Sequence, residues 1–169
     1  MGISLVEFLL QDGLLTGAGH SFRAAHGRSG IIPAMQKREG DGATPSGFLR
    51  LVRVLYRADR IPPPACAVPL EPIGPLDGWC DDPADPAYNK PVRLPYAASH
   101  EELWRNDHVY DVIGVLDWNL DPVTPGRGSA IFFHVATADY APTAGCVALS
   151  LPDILAALRA GLSAIRVPD

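Results

Sequence analysis

The 169-residue sequence has no run of basic residues, and its formal net charge is -5. Nucleic acids are held largely by neutralising phosphates, so this balance argues against them as partners. No apolar stretch reaches the ~18 residues that a membrane-spanning helix needs. Residues 1–10 read as a strand: no basic segment precedes them and no small-residue cleavage site follows, so export is not expected from the chain itself. Cysteine is scarce and odd in number, at three. Cys66 and Cys80 are either a pair formed in an oxidising compartment or two inert thiols, and Cys146 is left over in both cases. His20, His26, His100 and His108 show no HxxxH spacing and there is no CxxC, so no metal site is expected. Asp81-Asp82 reads as solvated loop. Neither GxxxxGK[ST] nor GxGxxG occurs, so the glycines of 37–47 do not make a phosphate loop. No cofactor is implied.

What is present is ordinary globular composition, with 47% hydrophobic and 20% charged residues. The length suits one domain with a genuine core, spanning 1–169. Seventeen prolines and sixteen glycines call for many turns. Strands are expected over 4–10 and 14–25, broken at Asp12-Gly13. Residues 27–47 read as irregular, and 48–56 alternate as a half-buried strand. The proline-rich stretch 61–95 is too long for a linker in a domain of this size and reads as functional cover or a packed excursion. Residues 99–106 fit a short helix with Ser99 as N-cap and Glu102 closing a capping box. Continuous apolar runs at 109–118 and 129–136 predict central strands. From Ser150 the period changes: Leu151, Ile154, Leu155, Leu158 and Leu162 form a helical stripe, with Pro152 in the first turn and Gly161 at the end. The expected class is a β-rich α+β domain with one helix near its end.

The chemistry concentrates at His134 and Cys146. An apolar run ends in the histidine, and twelve residues later the cysteine follows Thr143-Ala144-Gly145. A thiol needs a base to become a good nucleophile, and imidazole is the usual one near neutral pH. Two extended segments joined by a loop bring such a pair together, and small residues before the thiol let backbone amides form an oxyanion hole. The competing reading makes Cys146 a small buried hydrophobe and His134 a satisfied core residue.

Three motifs in order resemble the YkuD-type L,D-transpeptidases, which remodel bacterial peptidoglycan. Lys37-Arg38-Glu39-Gly40-Asp41-Gly42-Ala43-Thr44-Pro45-Ser46-Gly47 is similar to the family's KxxGDxxTPxG. The strand ending at His134 matches its catalytic histidine, and Thr143-Ala144-Gly145-Cys146 stands where the family has SxGC. The resemblance implies a YkuD-like mixed-sheet sandwich or barrel with a C-terminal helix and the long proline-rich loop. It also implies Cys146 as nucleophile, His134 as base, the backbone amides near Gly145 and Cys146 as holders of the oxyanion, and Thr143 shaping or hydrogen-bonding the site.

Two positions depart from the pattern. Val135 replaces a glycine, and Ala148 replaces the arginine that usually anchors the donor. Stem peptides carry carboxylates, so Arg38, Arg105 and Arg127 are candidates to take over that anchor. Tyr88, Asn89 and Trp104 are candidates to line the groove. The segments 77–82, Tyr88-Asn89 and 103–105 resemble a proteobacterial branch associated with 1,3 cross-links between L-Ala and diaminopimelate. The implied partners are peptidoglycan stem peptides, as donor and amine acceptor, in the periplasm. If water replaces the amine, the same site is a carboxypeptidase or endopeptidase. A non-catalytic cell-wall binding module is the remaining alternative.

Overall fold

In the computed structural model, which describes residues 4–169, the frame is a mixed sheet that nearly closes on itself. Its strands are β1 (Val6–Gln11), β2 (Leu14–Gly17), β3 (His20–Arg23), β6 (Gly47–Tyr56), β11 (Val112–Leu116), β12 (Phe132–Val135), β13 (Val147–Leu149) and β14 (Leu162–Val167). They lie in the order β13-β12-β11-β6-β14-β1-β2-β3, and β7 (Leu70–Pro72) adds to β6. The ends of that order meet just beyond β3: the amides of Ala25 and Ala148 each donate to the other's carbonyl at 2.9 Å. A barrel-like sandwich results, and closure of this kind leaves few open strand edges.

The early strands follow the turn chemistry. Asp12 and Gly13 take φ of 54° and 74°, as the hairpin requires. The expected strand over 14–25 is a second hairpin, because Ala18 and Gly19 also adopt positive φ and turn the chain between β2 and β3. Of the strand expected from residue 1, the first three residues lie outside the described ones. The irregular segment 27–47 carries two short strands, β4 (Ile31–Ile32) and β5 (Thr44–Pro45), paired in parallel, and a single 3-10 turn at Ala34–Gln36.

Ser150 caps the helix α1 (Leu151–Arg159), its hydroxyl accepting from the Asp153 amide at 3.3 Å. The buried stripe is Ile154, Ala157 and Leu158. Leu162 is core too, but it opens the strand β14, which the sequence reading missed. That strand sits centrally, parallel to β1 and antiparallel to β6. A six-residue run directly after a helix offers little periodicity, and only its two neighbours make it a strand.

The helix expected over 99–106 is corrected: β10 (His100–Glu102) is a strand. It pairs with β8 (Asp77–Cys80), which also pairs with β9 (Pro91–Arg93). Ser99 does not cap a helix; its hydroxyl donates to Asp81 Oδ1 at 2.6 Å. An isolated helix of two turns is marginal in water, so a ready strand partner wins. The proline-rich stretch thus contributes β7 to the main sheet and β8 and β9 to a small three-stranded sheet completed by β10.

Side chains of the central strands alternate between two interiors. Val112, Leu116, Phe133, Val135, Val147 and Leu149 join the main core with the helix. Ile113, Val115, Phe132 and Cys146 join a second cluster with Trp79, Leu103 and Tyr110. Burial on both faces explains why 109–118 and 129–136 read as near-continuous apolar runs.

Candidate active site

His134 and Cys146 lie on the excursion side of the main sheet. On β12, Phe132 and His134 share one face because alternate residues do. Strand β13 runs parallel beside it, with His134 opposite Ala148, and Cys146 directly precedes that strand. Cys146, His134 and Ala148 line one cleft of ≈ 200 Å³, together with Glu101, Arg105 and Tyr110.

The turn carrying Cys146 is held by two threonines. Thr143 Oγ1 donates to Cys146 O at 2.7 Å and accepts from the Gly145 amide at 3.1 Å. Thr44 Oγ1 donates to Gly145 O at 2.8 Å and accepts from the Gly27 amide at 2.9 Å. Gly145 has φ of 139°, and a Cβ there would stand 2.8 Å from Ala43 O. Only glycine fits so close to the 42–45 segment. Thr143 and Gly145 therefore shape the loop, and the Gly145 amide is already engaged.

The thiol itself donates to Ala130 O at 3.2 Å and accepts from the Phe132 amide at 3.4 Å. The His134 ring bonds through Nδ1 to Val135 O at 3.0 Å, which assigns the proton to Nδ1 and leaves Nε2 as the basic nitrogen. Among the described residues the imidazole and the thiol share a cleft without a hydrogen bond between them. Burial pushes the Cys146 thiol up to about 12, with the Glu101 carboxylate adding to the effect. Burial holds His134 down to about 4. At rest the pair is a neutral thiol and a neutral imidazole, not an ion pair.

Tyr110 and Glu101 complete the cleft. The Tyr110 ring meets that of His134 edge-on, with centroids 5.6 Å apart. Its hydroxyl donates to Glu101 Oε2 at 3.1 Å. The sequence reading nominated neither of these two residues. Glu101 was hidden by the helix assignment, and Tyr110 by its place in an apolar run.

The sequence matches the family model of the L,D-transpeptidase catalytic domain, YkuD, over residues 8–160. The chain belongs to that family. Its members are cysteine-dependent L,D-transpeptidases that act on peptidoglycan stem peptides. No curated protein and no solved structure matches the chain.

The L,D-transpeptidase segment 37–47 packs directly against the cysteine turn through Thr44, a link that the sequence motif alone did not reveal. Lys37, also in this segment, is buried, and its Nζ reaches Asp41 Oδ1 at 2.6 Å and Arg38 O at 2.9 Å. Of the three arginines nominated to replace the missing anchor, only Arg105 lines the cleft. It is gripped by Asp107 through two bonds of 2.8 and 2.6 Å. Arg38 is exposed and folds back onto Met35 O and Lys37 O. Arg127 donates to Ala34 O at 2.6 Å, away from the thiol.

Tyr88 and Asn89, expected to line the groove, are framework. Both are buried. The Tyr88 hydroxyl donates to Glu39 Oε1 at 2.6 Å and accepts from the Gly128 amide at 3.0 Å. Asn89 Oδ1 accepts from Trp79 Nε1 and the Ala130 amide, both at 2.9 Å, while its Nδ2 donates to Trp118 O and Asn119 O. It thereby fixes Ala130, whose carbonyl holds the thiol. Trp104 lies under the Arg57 guanidinium, 3.6 Å from its ring centroid, and borders a neighbouring depression that shares Glu101 and Arg105 with the cleft. All three cysteines are free.

Proposed function

We propose that the protein is a peptidoglycan L,D-transpeptidase in which Cys146 is the nucleophile and His134 its general base. The observation that carries this reading is the shared cleft: thiol and imidazole lie together, beside a turn clamped by Thr44 and Thr143. Donor binding displaces water, and the thiol turns from Ala130 O toward His134 Nε2. The base takes the proton as sulfur attacks the peptide carbonyl of the donor stem. The neutral resting pair suits this order, since the charge forms only with substrate in place. With the Gly145 amide occupied by Thr143, the Cys146 amide is the donor assigned to the oxyanion. His134 then protonates the leaving amine. The side-chain amine of a second stem resolves the thioester and regenerates Cys146.

The finer reading is a 1,3 cross-link. Ala148 removes the cation that usually grips the donor, and Arg105 is the cation left in the cleft. Peptidoglycan lies outside the inner membrane, so the periplasm is the proposed location, and residues 1–169 are taken as one catalytic domain. Incubation with defined muropeptides tests the function. The wild type yields cross-linked dimers, and Cys146→Ala, folded normally, yields none. Dimers from that variant would overturn the assignment, and shortened stems alone from the wild type would mark a hydrolase.

A further inference from the structure

The resolving step needs more than a thioester. The acceptor is a primary amine with lysine-like basicity, so at pH 7 roughly one molecule in a few thousand is uncharged and nucleophilic. A cleft that uses such an amine gains from a group that attracts the ammonium and removes one proton.

We propose that Glu101 is the acceptor-amine site: its carboxylate receives the ammonium of the second substrate and deprotonates it beside the Cys146 thioester. This inference rests on the transpeptidase reading above. Glu101 lines the same cleft as Cys146 and His134, on the strand β10. Tyr110 holds Glu101 Oε2 at 3.1 Å while its ring packs against His134. Oε1 makes no hydrogen bond within the described residues, and the carboxylate lines the cleft. Arg105, the cation of the cleft, acts on Glu101 through space only: within the described residues its direct ion pair is with Asp107, through two bonds. The cleft therefore presents one unpaired carboxylate close to the sulfur, where an incoming ammonium finds its complement. Burial raises this carboxyl to about 7, offset in part by the Tyr110 bond, which suits a base working near neutrality.

The balance is complete without another reactant. The ammonium gives one proton to Glu101 and attacks the thioester carbon as a neutral amine. A carbon–nitrogen bond forms and the carbon–sulfur bond breaks. The second proton lost from nitrogen passes through His134 to the departing sulfur, restoring the thiol. Glu101 then releases its proton to solvent.

The test compares how the acyl-enzyme divides between acceptors. Wild type and Glu101→Gln are loaded with a stem-peptide donor, and acylation of Cys146 is read by intact mass. Each is then offered either a diaminopimelate-bearing stem, which is cationic, or hydroxylamine, which is uncharged at neutral pH. Glutamine keeps an oxygen for Tyr110, so the fold is preserved. For the cationic stem, the ratio of amide to hydrolysed acid falls about 100-fold in the variant. For hydroxylamine it changes by less than about threefold. An unchanged ratio for the cationic stem, or an equal fall for both acceptors, overturns the role of Glu101. Failure of the wild type to acylate at all overturns the transpeptidase reading instead, and the acceptor site with it.

Discussion

Phe133 and His134 are neighbours in one strand and face two different interiors. Phe133 points into the main core, where its companions are Val135, Val147, Leu149 and the helix residues Ile154 and Leu158. His134 points the other way, toward Tyr110 and the cleft walled by residues of 101–110 and 134–148. The first interior gathers aliphatic and aromatic side chains from the strands and the helix. The second mixes Trp79, Tyr110 and Phe132 with a thiol, an imidazole and a carboxylate. One sheet thus divides its two faces between stability and chemistry. Both Cys146 and His134 are buried on that second face, and this burial is what desolvates them.

The sharpest way to break this comparison is Phe133→Ala. The side chain is fully buried, so its loss costs about 4 kcal/mol of stability through lost transfer energy and the cavity left behind. Chemical denaturation reads this directly. A cost below about 1 kcal/mol would mean that the helix face is not the principal core.

Next in size is a pH effect confined to the other face. His134 is held at about 4 against an ordinary 6.5. Between these values the unfolded chain takes up a proton that the folded chain does not, so stability present above pH 6.5 is lost as pH falls toward 4. Full development of that difference amounts to about 3 kcal/mol. His134→Gln removes it, so the gap in stability between pH 7 and pH 4 is smaller in the variant than in the wild type. Equal pH slopes in denaturation curves of the two proteins would show that the imidazole is better solvated than its surroundings imply.

The smallest effect falls on the clamp between the two halves of the site. Thr44→Val keeps the shape but leaves the Gly27 amide and the Gly145 carbonyl without their partner. That costs about 2 kcal/mol. It also loosens the cysteine turn, so turnover falls by a larger factor than stability alone would produce at a temperature where both proteins are folded. Unaltered turnover would separate the clamp from catalysis.

The legibility of the chain follows the same division. The strands Val112–Leu116 and Phe132–Val135, shorter than the apolar runs 109–118 and 129–136 that announce them, and the helix after Ser150 were readable because the runs are near-continuously apolar and the helix carries its own cap. Strand β14 was not, since it is short and owes its state to β1 and β6. Residues 99–106 misled for a related reason: Ser99 and Glu102 offer a local capping box, but β8 offers a pairing edge that no local pattern announces. That error hid Glu101. Tyr88 and Asn89 stood in a suggestive segment, yet their bonds to Glu39, Gly128, Trp79 and Ala130 place them in the frame beneath the site.

By itself, the sequence determined a β-rich fold with a helix near its end and which segments hold its core. Through the ordered motifs 37–47, His134 and 143–146, it also indicated the L,D-transpeptidase family. Those properties are carried by periodicity and by residue types at short spacing, which a linear reading can see. Tertiary structure decided that His134 and Cys146 face the excursion, that Thr44 clamps Gly145, and that Glu101 and Arg105 share their cleft. It also decided the protonation of the pair, because desolvation depends on what surrounds a side chain, and the cleft walls come from separate stretches of the chain, 101–110 and 136–148.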